Sequence, residues 1–487
     1  MKKVMLSAAA LMIGAIGFAQ VSGAPKAVAV PAQAGAAAGA NTGESIQNGN
    51  DNRVWVRQAG TSQSVYTNQN DGAGTGGNLA RVRQMGAVQA TSGVENLAEV
   101  LQSGDLNQST TLQEGDRNNA VTRQGQNDNS SASNMARIRQ GTGQNAEDNF
   151  AAIDQDGDGN SAWTRQTFDN SDAWTRQVGD GNKSEIDQNA GPNGTDGHLA
   201  EAEQVGDGNM SIINQSGAGA RNTARTFQDG NGNYAEQMQT TDAVMGGTGN
   251  TAIIAQGNVT TGHTFSSIYS DLLTVDDIEN GSQSLGSFGG QAYQDQSGSD
   301  NDADIRQFGD DPANANYAEQ NQSGSGNSAF VVQNLYGTPS GAGNYARQDQ
   351  DGTNSEAGIG QNGFDHKAYQ RQSGNDNVAL STQRGEDNLV NTYQDGDGNR
   401  GMTAQRGQNN QILLVQRGGH SYSVTQNLPN GSPVGMPNGG NVADVLQLGP
   451  NGDFATDGIL CEFPDMNTPG TPNMPGDFDI DDVCPGC

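Results

Sequence analysis

The pattern Asn-x-Ala-x-(Val/Ile/Thr)-x-Gln returns thirty times along this 487-residue chain. Its closing glutamines run from Gln47, Gln58 and Gln69 through Gln166 and Gln177 to Gln416, Gln426 and Gln447, and 17 of the 29 spacings between them are eleven residues. A short fixed period marks a solenoid, whose units are too small to bury their own surface and must stack on one another. Within a unit, restricted positions alternate with free ones, which is the period of a strand and not of a helix. With the asparagine as position 0, the restricted face carries Asn in 23 of 30 units, Ala at position 2 in 20, and Val, Ile or Thr at position 4 in 21, with Gln at position 6. Positions 1, 3 and 5 vary freely, as with Leu79, Arg81 and Arg83 against Phe150, Ala152 and Asp154. The restricted face therefore points inward.

An interior of amides is costly unless every donor and acceptor is satisfied. Stacked strands solve this, because the same Asn or Gln recurs about 4.8 Å above and below and the side chains can bond in a ladder. Asn160, Gln166, Gln177, Asn182, Gln188, Asn209 and Gln215 are candidate ladder residues, and so are Asn377, Gln383, Asn388, Gln394, Asn399 and Gln405. His198, His366 and His420 occupy the asparagine position and are expected to substitute in the ladder. Links such as Gln155-Asp156-Gly157-Asp158-Gly159-Asn160 are rich in residues that accept positive φ. Two units make one rung of about 22 residues. The expected fold is all-β: a β-solenoid of strand-turn-strand rungs, about 15 of them, on the order of 70 Å long.

Residues 1–19 read as a signal peptide, with Lys2 and Lys3 before an apolar run from Val4 to Phe18 and cleavage after Ala19. Residues 20–40 form an Ala-rich leader or linker, 41–447 the repeat solenoid, and 448–487 a proline-containing C-terminal tail that cannot continue the ladder. Pro192, Pro312 and Pro339 each fall in a lengthened connection, and the gap between Gln256 and Gln296, with Phe265, Tyr269, Leu272 and Leu273, reads as a degenerate unit plus an insertion at about 257–290. Were a unit hidden there, the long connections between Gln188 and Gln350 would share one edge of the stack. The tail holds all three cysteines, Cys461, Cys484 and Cys487, which suggests one disulfide plus a free or intermolecular thiol, and the tail is expected to cap the last rung or anchor the protein.

A net charge of −31 argues against nucleic acid and anionic membranes as partners. Low hydrophobicity with high charge also suits a disordered chain, but the strict period opposes that reading. Arg57, Arg83, Arg123, Arg139, Arg165, Arg176 and Arg306 recur at outward position 5, where they can pair with carboxylates on neighbouring rungs. Trp55, Trp163 and Trp174 all take outward position 3 and read as scattered surface aromatics. Asp154, Asp156, Asp158 and Gly159 mimic the opening of a calcium loop, although Arg165 stands where an EF-hand needs its glutamate. No serine-histidine-acid set, paired-carboxylate motif or phosphate loop stands out from the repeat, so neither an enzyme nor a cofactor is expected.

The repeat resembles that of curli subunits, the extracellular functional amyloids of bacterial biofilms, whose pattern is Gln-x-Gly-x-x-Asn-x-Ala-x-x-x-Gln. Residues 155–166 carry every fixed position (Gln155, Gly157, Asn160, Ala162, Gln166), and residues 372–383 do so again (Gln372, Gly374, Asn377, Ala379, Gln383). The resemblance covers roughly residues 41 to 447. It implies export through outer-membrane secretion machinery and nucleated polymerisation into cell-surface or extracellular fibres with a matrix or adhesive role. The implied partners are further copies of the chain and related fibre subunits or a nucleator. The larger number of rungs, the insertions and the cysteine-bearing tail depart from the family pattern. A monomeric calcium-stabilised solenoid adhesin is the second reading, and a carbohydrate-active parallel β-helix enzyme a distant third.

Overall fold

A computed structural model describes residues 24–31, 37–71, 76–85, 94–126, 131–141, 146–191, 197–241, 248–257, 287–309, 315–334, 342–427, 439–448 and 467. The signal-peptide region, most of the insertion and Cys461, Cys484 and Cys487 lie outside the described residues. Regular structure among the described residues is entirely β.

Each repeat unit contributes one strand, and successive units alternate between two sheets. The first sheet runs from Thr42–Asn48 to Ser421–Gln426 and the second from Arg53–Ala59 to Val442–Leu448. Fifteen strands follow one another along each path, and the short pairs Ser287–Phe288 and Ala146–Glu147 attach at the sides. All pairing is parallel and in register, so that Gln124, Gln155 and Gln177 stand side by side in the first sheet, as do Gln140, Gln166 and Gln188 in the second. The all-β solenoid and its fifteen rungs are thus as the repeat predicts.

The inward face is the restricted one. Ala162, Thr164 and Gln166, or Ala173, Thr175 and Gln177, are fully buried while Ser161, Arg165, Asp172 and Arg176 retain exposure. Small alanines let the sheets approach, and aliphatic side chains at position 4 fill the remaining space. Ile254, Ile305, Val331 and Ile359 of the first sheet pack against Ala235, Ala292, Ala318, Ala346 and Ala368 of the second. Full burial of a residue of this size stabilises by about 1.5–3 kcal/mol, so the aliphatic column is a main source of stability.

At the rung corners, glycine is required by a close approach. In Gly179 (φ 105°), an added Cβ would lie 2.3 Å from the Gly206 carbonyl oxygen of the next rung. That same carbonyl accepts the Asn182 side-chain amide at 2.7 Å, so corner and ladder are built together.

Three expectations are corrected. Strand Thr251–Gln256 pairs directly with Asp302–Gln307, and Tyr234–Thr241 with Gln291–Ser299, so no further unit stands between them in either sheet. With no hidden unit, the connection containing Pro192 runs from the second sheet to the first, whereas those containing Pro312 and Pro339 run from the first to the second, so the long connections do not share an edge. Residues 24–31, read as part of an Ala-rich leader or linker outside the solenoid, lie against the first sheet: Ala27 donates its N–H to Asn119 Oδ1 and accepts from Asn119 Nδ2, both at 3.1 Å, and packs with Val121, Phe150 and Ala152.

Candidate functional site

The position-6 glutamines form two unbroken ladders. Among the described residues 28 bonds run Nε2 to Oε1 at 2.8–3.1 Å from Gln47 to Gln426 in the first sheet and from Gln58 to Gln447 in the second. Each amide donates toward the C-terminal end of the stack and accepts from the N-terminal side. The second amide proton crosses to the facing sheet: Gln155 Nε2 donates to Met135 O at 3.1 Å, Gln166 Nε2 to Phe150 O at 2.8 Å, and Gln383 Nε2 to Lys367 O at 3.0 Å. The ladders therefore also tie the sheets together.

The asparagine ladder forms side chain to side chain as expected, with Asn182, Asn399 and Asn410 Nδ2 donating to Asn160, Asn377 and Asn388 Oδ1 at 3.2, 3.1 and 2.8 Å, and it recruits backbone groups as well. Asn160 Oδ1 accepts the backbone N–H of Asn182 at 2.9 Å and Asn182 Oδ1 that of Asn209 at 2.9 Å, while their Nδ2 groups donate to the Gly179 and Gly206 carbonyls at 2.7 Å. Asn377 serves Asn399 and the Gly396 carbonyl in the same way, and Asn388 serves Asn410 and the Gly407 carbonyl. The reason is geometric. An Asn side chain is one methylene shorter than Gln, so at a corner it lies within reach of backbone groups as well as the next amide.

His198 and His366 fit this scheme. His198 Nδ1 accepts the Asn222 N–H at 3.3 Å and His366 Nδ1 that of Asn388 at 3.3 Å, while their Nε2 atoms face the Asn189 and Asn362 carbonyls at 3.3 and 3.2 Å. His420 is partly exposed, in the last rung of its sheet, and its backbone N–H bonds Asn399 Oδ1.

Burial pushes both His198 and His366 down to about 4 from 6.5, so both rings are neutral in the fold and protonate more readily in the unfolded chain. Their contribution is complete above pH 6.5 and is lost as pH falls toward 4, up to about 3 kcal/mol each. The H198N/H366N double variant is expected to abolish that part of the acid sensitivity, read as the difference in denaturant midpoint between pH 7 and pH 4.5. The comparison with wild type is needed because Asp154, Asp172 and Glu201, raised by burial, act with opposite sign. Parallel pH profiles for the two proteins would refute the assignment.

A third ladder was not anticipated. Gln237, Gln294, Gln320, Gln348 and Gln370, at position 4 of five successive second-sheet strands, bond Nε2 to Oε1 at 2.9–3.0 Å. Both its ends are closed by hydroxyls: Thr226 Oγ1 donates to Gln237 Oε1 at 3.1 Å, and Gln370 Nε2 donates to Ser381 Oγ at 2.8 Å.

The outer ladders have no such closure. Among the described residues no donor reaches Gln47 or Gln58 Oε1, and Gln447 Nε2 has no acceptor. The end rungs also leave inward-facing apolar positions uncovered. Val56 is 40% exposed at one end, and Tyr422 42% at the other, where Ala443 and Val445 are also partly exposed.

On the outer faces, Arg123, Arg165 and Arg176 pair with Glu99, Asp187 and Glu203 of adjacent rungs, but Arg306 pairs with Asp304 on its own strand. Trp163 is only 5% exposed, which removes it from the surface aromatics, and Trp55 at 41% lies under Arg81. Asp154 lies on a strand, whereas the Asp158 carboxylate accepts the Ala132 N–H at 2.7 Å, and Asp180 accepts that of Asp158 at 2.8 Å. These turn carboxylates link rungs through backbone N–H groups. No group of three or more His, Cys, Asp or Glu suited to a metal occurs among the described residues.

Neither models of known protein families nor curated protein sequences give a match to this chain.

Proposed function

We propose that this is a secreted structural protein that polymerises end to end, through its first and last rungs, into curli-like amyloid fibres of a biofilm matrix, supporting surface adhesion and aggregation. The observation that carries the reading is the polarity of the two outer ladders with their open ends. One end offers the Gln47 and Gln58 carbonyl oxygens and the other the Gln426 and Gln447 amide N–H groups. The last rung of one copy is thereby complementary to the first rung of the next, and each contact also covers apolar side chains at both faces. A head-to-tail contact of this kind does not close on itself, so it propagates into a filament. Export to the cell surface is supported by the resemblance to the curlin repeat and by the signal-peptide pattern. No active site is needed for growth.

Electron microscopy and X-ray diffraction of the secreted protein test the reading. Unbranched fibres with a reflection near 4.8 Å and seeded, thioflavin-positive growth are expected. Protein that stays monomeric and dye-negative at high concentration after seeding would overturn it.

A further inference from the structure

We propose that the outer face of the second sheet is a docking surface for this chain's own proline-rich C-terminal segment, gripped at Asn467, which straps the segment to the flank of the stack. Asn467 N–H donates to Tyr317 Oη at 2.9 Å, and Tyr293 Oη donates to the Asn467 carbonyl at 3.3 Å. The Tyr317 proton is free for neither, since it goes to Glu319 Oε2 at 2.5 Å. Two phenols from adjacent rungs thus read both backbone groups of one residue.

The phenols belong to a column. Tyr234, Tyr293, Tyr317 and Tyr345 follow one another with ring centroids 5.3, 5.5 and 5.2 Å apart. They occupy outward positions of their strands, yet each keeps only 2–6% exposure. Burial pushes the Tyr293, Tyr317 and Tyr345 phenols above their ordinary range. Beside the grip, Glu236, Met238, Tyr293, Asp295, Asn321 and Asn467 line a cavity of about 300 Å³.

The chemistry of the segment suits this face. Pro464, Pro469, Pro472 and Pro475 flank Asn467. Proline-rich chains make no internal hydrogen bonds, so their backbone groups need outside partners, and they dock on aromatic-lined surfaces. Reach is sufficient: the 19 residues from 449 to 467 span up to about 60 Å when extended. The Tyr317 strand lies five rungs before the last strand of its sheet, roughly 24 Å away.

The test uses the full chain carrying N467K, treated with a zero-length carbodiimide as an equal mixture of isotopically light and heavy copies. Crosslinks from residue 467 to Glu236 or Asp295 within one copy are expected. Mixed light–heavy crosslinks, or none to these carboxylates, would overturn the strap. In the same background, Y293F/Y317F keeps the rings and removes the phenol groups, and it is expected to lower the crosslink yield about tenfold. An unchanged yield with an intact circular-dichroism spectrum would equally overturn it. Because crosslinking is read on monomer as well as fibre, its outcome is separate from that of polymerisation.

Discussion

Replacing Gln166 by leucine is expected to cost about 2–6 kcal/mol, whereas the same change at Gln47 costs less than about 1 kcal/mol. Gln166 accepts from Gln140 at 3.0 Å and donates to Gln188 at 3.0 Å and to the Phe150 and Ser171 carbonyls at 2.8 Å. Leucine fills much the same space but leaves a Gln140 N–H and Gln188 Oε1 buried without partners, at about 1–3 kcal/mol each. Gln47 is exposed in the first rung and has a single ladder bond, so water replaces what is lost.

In a stack where each rung touches only its neighbours, the damage is local. Amide exchange of Q166L should lose protection around Gln140, Gln166 and Gln188, while rungs on the far side of Gln350 stay protected. Equal destabilisation by Q47L and Q166L would show that the ladder is not what the interior glutamines contribute.

The architecture was legible because two independent periods agree. Alternation of restricted and free positions gives strands, and the eleven-residue return of Gln155, Gln166, Gln177 and Gln188 gives their stacking. Which atoms bond was less legible. Sequence marks the identity of Asn160 and Asn182 but not that a short side chain at a corner also bonds backbone groups of the next rung.

The position-4 ladder was present in the sequence but only when alternate units are compared. Gln237, Gln294, Gln320, Gln348 and Gln370 fall in every second repeat, and every second repeat belongs to the same sheet. Pooled over all thirty units they look like exceptions to a β-branched position. The contact of Asn467 with Tyr293 and Tyr317 carries no such signal, since it joins residues 174 and 150 positions apart through the backbone of one of them.

Closure distinguishes the ladders by role. The internal one ends in Thr226 and Ser381 hydroxyls, which satisfy its terminal groups within the protein. The outer ones end where the stack ends, and that difference makes a second large effect predictable. A lysine in place of Val56 puts a charge on the inward face of the rung at the N-terminal end, and one in place of Val445 does so at the C-terminal end. Val56 is already 40% exposed and Val445 partly so, so each monomer should fold with little penalty. In a stacked contact the charge would be buried without a partner, a cost of several kcal/mol, and fibre elongation through that face should slow by 100-fold or more.

Polarity gives the experiment its power. Each single variant keeps one intact face, but head-to-tail growth needs both kinds, so neither V56K nor V445K should elongate alone. Mixed in equal amounts, they should pair once, the intact last rung of V56K on the intact first rung of V445K, and stop as dimers measurable by sedimentation. Were like faces to join instead, each variant would dimerise by itself and mixing would add nothing. That outcome would refute the head-to-tail assignment while leaving the solenoid untouched.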